Sequence, residues 1–75
     1  MTKRTPRFTA KELGRALSKA GFVKIDQTGS HQKFRHPDGR QSIVPYHSKR
    51  TIPPKTLKNI LEGAELSLEQ LGRLL

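Results

Sequence analysis

The chain has no cysteine, no tryptophan, a single tyrosine and only six acidic residues among 75. Without cysteine there is neither a disulfide framework nor a thiolate zinc site. Asp26 and Asp38 are too few and too far apart to hold magnesium, and Asp38 sits in a Pro-Asp-Gly stretch that marks it as a turn residue. No apolar run approaches the ~18 residues that a membrane span needs, and the opening MTKRTPRF lacks the apolar stretch of a secretory signal. The expectation is a cytoplasmic protein with no membrane contact. Only 32% of the residues are hydrophobic, so a single small core is expected. At this length such a core supplies roughly 3–5 kcal/mol, a margin that a binding partner would widen.

What the chain does have is positive charge. Fifteen Lys and Arg give a formal +9, and fourteen of those fifteen fall within residues 1–58. A small domain this basic repels itself, and a polyanion relieves that cost. Nucleic acid is the usual polyanion, because neutralised phosphates release condensed counterions.

The first seven residues carry no pattern and read as a mobile basic arm, with one domain over 8–75. In FTAKELGRALSKAGF, Thr9 and Glu12 have capping-box spacing, and Phe8 and Leu13 sit where a hydrophobic staple places them. Leu13, Ala16, Leu17 and Ala20 form one apolar helical face. Gly21 suits the left-handed position after the helix, with Phe22 folding back on Leu17. Lys11, Arg15 and Lys19 form a basic stripe whose ordinary reading is a solvated outer face.

FVKIDQ alternates Val23 and Ile25 against Lys24 and Asp26, as a strand does. TGS is a turn, HQKFRH a second strand, and PDGR a hairpin turn. QSIVP is a short third strand closed by Pro45. Pro54 suits a first helical turn, and Leu57, Ile60, Leu61 and Ala64 repeat the helical spacing. Ser67 and Gln70 mark a second capping box, opening a short third helix. The fold class is therefore α+β, ordered α-β-β-β-α, with a three-stranded antiparallel sheet. Two helices cover one face, and a short C-terminal helix follows. The other face is left to water or a ligand.

Alternation sends Phe34, the one large apolar residue of the second strand, toward the helices with Gln32 and His36. It leaves His31, Lys33 and Arg35 on the open face. Lys33 and Arg35 can hold phosphates. An imidazole with an ordinary pKa near ~6.5 exists in both forms near neutral pH. RNA supplies its own nucleophile, the 2′-hydroxyl. A positioned imidazole that moves that proton contributes roughly 10²–10⁴-fold, and neighbouring cations stabilise the charge that develops on phosphorus. Gly29 and Ser30 allow a close approach, and Ser30 can donate a hydrogen bond. His47, Lys49 and Arg50 lie in the loop returning toward the open face. Lys49 and Arg50 suit phosphate contact, since their ordinary pKa values keep them charged. For His47, RNA contact, proton transfer and a structural place all stay open. The three histidines do not form a metal site, because alternation separates His36 from His31. No cofactor motif is present.

Three stretches, KELGRALSKAGF, GSHQKFRHPDGR and IVPYHSKRTIPPKTLKNIL, occur in an order and spacing that resembles the HicA (YcfA-like) toxins of bacterial toxin–antitoxin pairs. The resemblance covers residues 8–71. Glu65 stands where that family often has glycine after the second helix, and Ser48 where it frequently has glycine in the loop before that helix. The resemblance implies a double-stranded-RNA-binding-domain-like fold and metal-independent endoribonucleolytic cleavage of messenger RNA. It implies His31, the histidine of GSH, as catalytic residue. It also implies a HicB-like antitoxin that covers the active face and carries the complex to operator DNA. The other class that the residues allow is a non-catalytic RNA- or DNA-binding module. Both classes need the basic face, and only the nuclease needs the imidazole.

Overall fold

The computed structural model describes residues 7–47 and 50–75. Its elements are α1 (Ala10–Lys19), β1 (Val23–Thr28), β2 (His31–Arg35), β3 (Gln41–Pro45), α2 (Pro54–Ala64) and α3 (Leu68–Leu74). The strands form an antiparallel meander in the order β1-β2-β3. This is the α+β order read from the residues, consistent with the double-stranded-RNA-binding-domain-like fold that the resemblance implies, with α3 appended. Of the basic arm expected over 1–7, all but Arg7 lies outside the described residues.

Local chemistry starts and stops the helices where the sequence marks them. Thr9 caps α1 in a full capping box with Glu12, and Ser67 does the same for α3 with Gln70, which satisfies amides that a helix start leaves unpaired. At the end of α1, Gly21 has φ 102°. Its amide donates to Ser18 O and that of Phe22 to Leu17 O, the paired bonds of a Schellman motif. The end of α2 repeats the motif with Glu65 in the left-handed region, φ 54° and ψ 42°. The Glu65 amide donates to Glu62 O and that of Leu66 to Leu61 O. A side chain there carries a steric cost that glycine avoids.

The core is Leu13, Leu17, Phe22, Phe34, Val44, Ile52, Leu57, Ile60 and Leu71, all buried, with Ala10, Ala16 and Ala64 between them. Close approaches set how the helices sit. Gly14 lets α1 pass over the Phe34 ring, where a Cβ would stand 3.3 Å from Cζ. Gly63 lets α2 lie on β3, where a Cβ would stand 2.7 Å from Gln41 O. The buried Ser42 hydroxyl donates to Ile60 O at 2.9 Å, satisfying a polar group that burial would otherwise penalise. Arg40 ties the β2–β3 turn to the carbonyl end of α2 through a 2.8 Å bond from Nη1 to Ala64 O. It also packs over the Phe22 ring.

The helices cover β2 and β3 more fully than β1, every residue of which is exposed. The register of β1 on β2 shifts between Lys24 and Asp26, a bulge of the kind that twists an edge strand and protects it from pairing. None of the helices among the described residues is long and apolar enough to cross a membrane.

Candidate functional site

The open face of the sheet begins at the β1–β2 turn. Thr28 pairs with His31, leaving Gly29 and Ser30 as a two-residue loop. Gly29 has φ 57°, and its neighbour Ser30 is not in the positive-φ region, the pattern of a type II′ turn with glycine first. A Cβ on Gly29 would meet nothing within 4 Å, so the requirement for glycine here is conformational. The Ser30 carbonyl accepts the Tyr46 amide, which anchors the tip of this hairpin to the chain leaving β3. Ser30 is held here by its backbone carbonyl, and its hydroxyl has no hydrogen-bond partner among the described residues.

His31 is the first residue of β2 and is exposed. It pairs laterally with Thr28 on one side and Pro45 on the other. With Asp26, Thr28, Lys33 and Ile43 it lines a depression of about 360 Å³. Alternation along β2 thus places Lys33 beside His31, and Lys33 lies opposite Asp26 in register. Asp26 does not form an ion pair with Lys33. Its Oδ1 accepts the Gln27 amide at 2.8 Å. Arg35 continues the same face in a neighbouring hollow of about 270 Å³, lined also by Val23, Ile25, His36 and Pro37. The row of cations read from the sequence is therefore divided between two adjoining depressions.

Three aliphatic side chains share this face. Val23 is 58% exposed, Ile25 49% and Ile43 52%. Alternation in β1 assigns Val23 and Ile25 to one side, but it does not say that this side is the uncovered one. The register shift after Lys24 also brings Asp26 onto the His31 side. Asp26 is the site-lining acid that the sequence pattern alone leaves out, and the bulge that places it leaves no mark in local composition.

The remaining candidates lie apart. His47 is exposed beyond the end of β3, and its carbonyl accepts the Arg50 amide at 3.0 Å. No side-chain bond joins His47 or Arg50 to His31. Lys49, the third basic candidate of that loop, lies outside the described residues. His36 borders the Arg35 hollow and does not line the His31 depression. Its ring meets Phe22 edge-on at 5.1 Å, and its Nδ1 accepts the Asp38 amide at 3.1 Å. Asp38 Oδ1 also lies 3.1 Å from Nδ1. Among the described residues no three His, Asp or Glu side chains come together as a metal site would need. Asp38 itself is held below the usual carboxylate range, chiefly by the Arg40 amide that it accepts, with the Arg40 guanidinium adding to the effect.

A family model described as HicA toxin of bacterial toxin-antitoxin matches residues 10–72. That span takes in every element from α1 to the middle of α3. No curated protein matches the chain.

Proposed function

The chain belongs to the HicA toxin family, the toxin side of a toxin–antitoxin pair, and from that premise we propose that it is an endoribonuclease that cleaves messenger RNA through His31. The supporting observation is the place of His31: exposed, at the head of β2, in one depression with Lys33. A ribose seated there presents its 2′-hydroxyl to the imidazole. His31 takes that proton, and the 2′-oxygen bonds to the adjacent phosphorus. The bond to the 5′-oxygen breaks, and the imidazolium returns a proton to it. The products are a 2′,3′-cyclic phosphate and a 5′-hydroxyl. Proton and electron pair balance within the RNA and one imidazole, so the cycle calls on no metal. Lys33 lies where its charge offsets the negative charge growing on the phosphoryl oxygens. Arg35, farther along the face, suits the next phosphate as a bidentate ligand. DNA has no 2′-hydroxyl and is not cut.

The antitoxin of this reading is HicB-like and sits on the same open face, with the toxin complex reaching operator DNA through the antitoxin. Val23, Ile25 and Ile43 support that seat. Exposed aliphatics beside Lys33 and Arg35 suit a protein surface carrying apolar and acidic side chains together.

His31→Ala tests the catalytic assignment. Because the side chain is exposed, the variant keeps its fold, checked by circular dichroism. Cleavage of purified messenger RNA falls by roughly 10²–10⁴-fold, growth arrest on expression disappears, and EDTA leaves wild-type cleavage unchanged. A folded His31→Ala protein that still cuts RNA at the wild-type rate refutes the role of His31, and RNA binding without cleavage by the wild-type protein leaves a non-catalytic RNA- or DNA-binding module. A strict requirement for divalent metal refutes the one-imidazole cycle.

A further inference from the structure

The opposite side of the same hairpin carries a second basic feature that the catalytic reading does not use. Because β1 overhangs the helices, a groove opens between α1 and the β1–β2 sheet. Lys11, Arg15, Lys24, Gln32, Phe34 and Tyr46 are among its lining residues, and its volume is about 280 Å³. Lys11 and Arg15 are four apart and share one face of α1, and Lys24 faces them from β1. None of the three forms an ion pair among the described residues. Only Lys24 has a side-chain partner, the neutral amide oxygen of Gln27 at 3.2 Å. The one acid of α1's first turn, Glu12, is engaged with Thr9 in the capping box. Gln32 is half-buried on the floor, and its side-chain amide makes no hydrogen bond among the described residues, so it can both donate and accept toward an incoming group. Tyr46 and Phe34 supply aromatic surface. The space is slightly below the roughly 300–1,000 Å³ of pockets for drug-sized ligands.

Cations at the rim, an aromatic wall and an unpaired amide on the floor are what a single nucleic-acid strand needs: phosphate contacts, a stacking surface and a group to meet a base edge. The position also fits. Gln32 follows His31 in β2, so the two side chains leave opposite faces of one strand end. Tyr46 is bonded through its amide to Ser30 at the hairpin tip. The Gly29–Ser30 turn directly precedes His31 and Gln32 in the chain, and a Cβ on Gly29 would meet nothing within 4 Å.

We propose that this groove is a second RNA subsite, which seats one unpaired base against Tyr46 and Gln32 and holds the flanking phosphates on Lys11, Arg15 and Lys24, so that a single strand rounds the Gly29–Ser30 tip on its way to His31. The proposal rests on RNA being the substrate, as argued above. It departs from the solvated-face reading of the α1 stripe for Lys11 and Arg15. Lys19, the third member of that stripe, does not line the groove. The open sheet face, which holds His31, also exposes the three aliphatics Val23, Ile25 and Ile43. The groove has cations and aromatic surface in their place.

The test uses His31→Ala as parent, so that RNA is bound and not cut, with a short fluorescein-labelled single-stranded RNA followed by anisotropy. Replacing Lys11, Arg15 and Lys24 together by Gln weakens binding and lowers the slope of log K against log salt by about 2, at ~0.7 per phosphate on a single strand. Tyr46→Leu weakens binding roughly 5- to 100-fold, whereas Tyr46→Phe, which keeps the stacking ring, does not. The Gln replacements are on exposed positions and serve as the arm that keeps the fold if Tyr46→Leu does not. In the His31-containing protein the triple replacement raises KM for long RNA more than it lowers kcat. Unchanged affinity and salt slope in the triple variant overturn the subsite and leave the groove to a protein partner. Equal dependence on these residues with an RNA duplex of the same sequence overturns the single-strand assignment. Neither result bears on whether His31→Ala abolishes cleavage, so the two readings fail separately.

Discussion

Replacing Gly63 by alanine measures how tightly α2 lies on the sheet that carries the site. In a free helix, glycine to alanine gains about 1 kcal/mol. Here the added Cβ stands 2.7 Å from the Gln41 carbonyl oxygen, with Ser42 Cα at 3.5 Å behind it. Both neighbours are backbone of β3, so nothing can swing aside and the helix itself must lift. Lifting it strains the 2.9 Å bond from Ser42 to Ile60 and the Arg40 tether at Ala64. Overpacking of this kind costs ~1–3 kcal/mol beyond what the substitution would otherwise bring. After the propensity gain, a net loss of up to about 2 kcal/mol remains. Gly72 in α3 is the internal control, because a Cβ there meets nothing within 4 Å. Gly72→Ala stabilises by up to ~1 kcal/mol. Urea unfolding of both variants in the His31→Ala background reads the midpoints at constant m. For a chain of this size 1 kcal/mol corresponds to roughly 4–8 °C in Tm. If Gly63→Ala stabilises as Gly72→Ala does, α2 does not approach β3 as described, and the support for β3 beneath Pro45 and His31 is misassigned.

Two further outcomes follow from particular contacts. Glu65→Gly removes a left-handed side chain from the Schellman motif after α2 and stabilises by about 0.5–1 kcal/mol, read as a higher urea midpoint. An equal or lower midpoint refutes the cap geometry. Asp38, whose carboxyl is held below its ordinary range by the Arg40 amide, contributes stability that is present above the unfolded value near ~3.9 and is lost as pH falls through the lower folded value. Asp38→Asn removes that part of the acid dependence, so wild type and variant converge in midpoint as the pH is lowered below about 4. Parallel curves across that range refute the assignment.

The helix boundaries were readable because their determinants are local. Thr9 with Glu12, Ser67 with Gln70, Gly21 before Phe22 and Pro54 in the first turn of α2 each act within a turn or two of chain. The assignment of His31 and Lys33 to one face and Phe34 to the other was readable for a similar reason, since side chains alternate along any strand and Phe34 has to be buried. Glu65 shows the limit of such signals. A glutamate does not announce a left-handed residue, and the helix ends there because Leu66 folds back on Leu61 and the core holds it.

Local chemistry along the chain set the order of the elements, their ends, the charge and the side of the sheet on which His31 stands. These depend on neighbours within a few residues, and on a hydrophobic period that is the same in any context. The tertiary structure alone decided which strand stays uncovered, where β1 slips its register to bring Asp26 beside His31 and Lys33, and that Lys11, Arg15 and Lys24 meet across a groove with Tyr46. Those outcomes depend on where α1 and α2 come to rest, which is set by Gly14 passing over Phe34 and Gly63 lying against Gln41. Contacts between residues twenty or more positions apart leave no periodic trace in the chain that makes them.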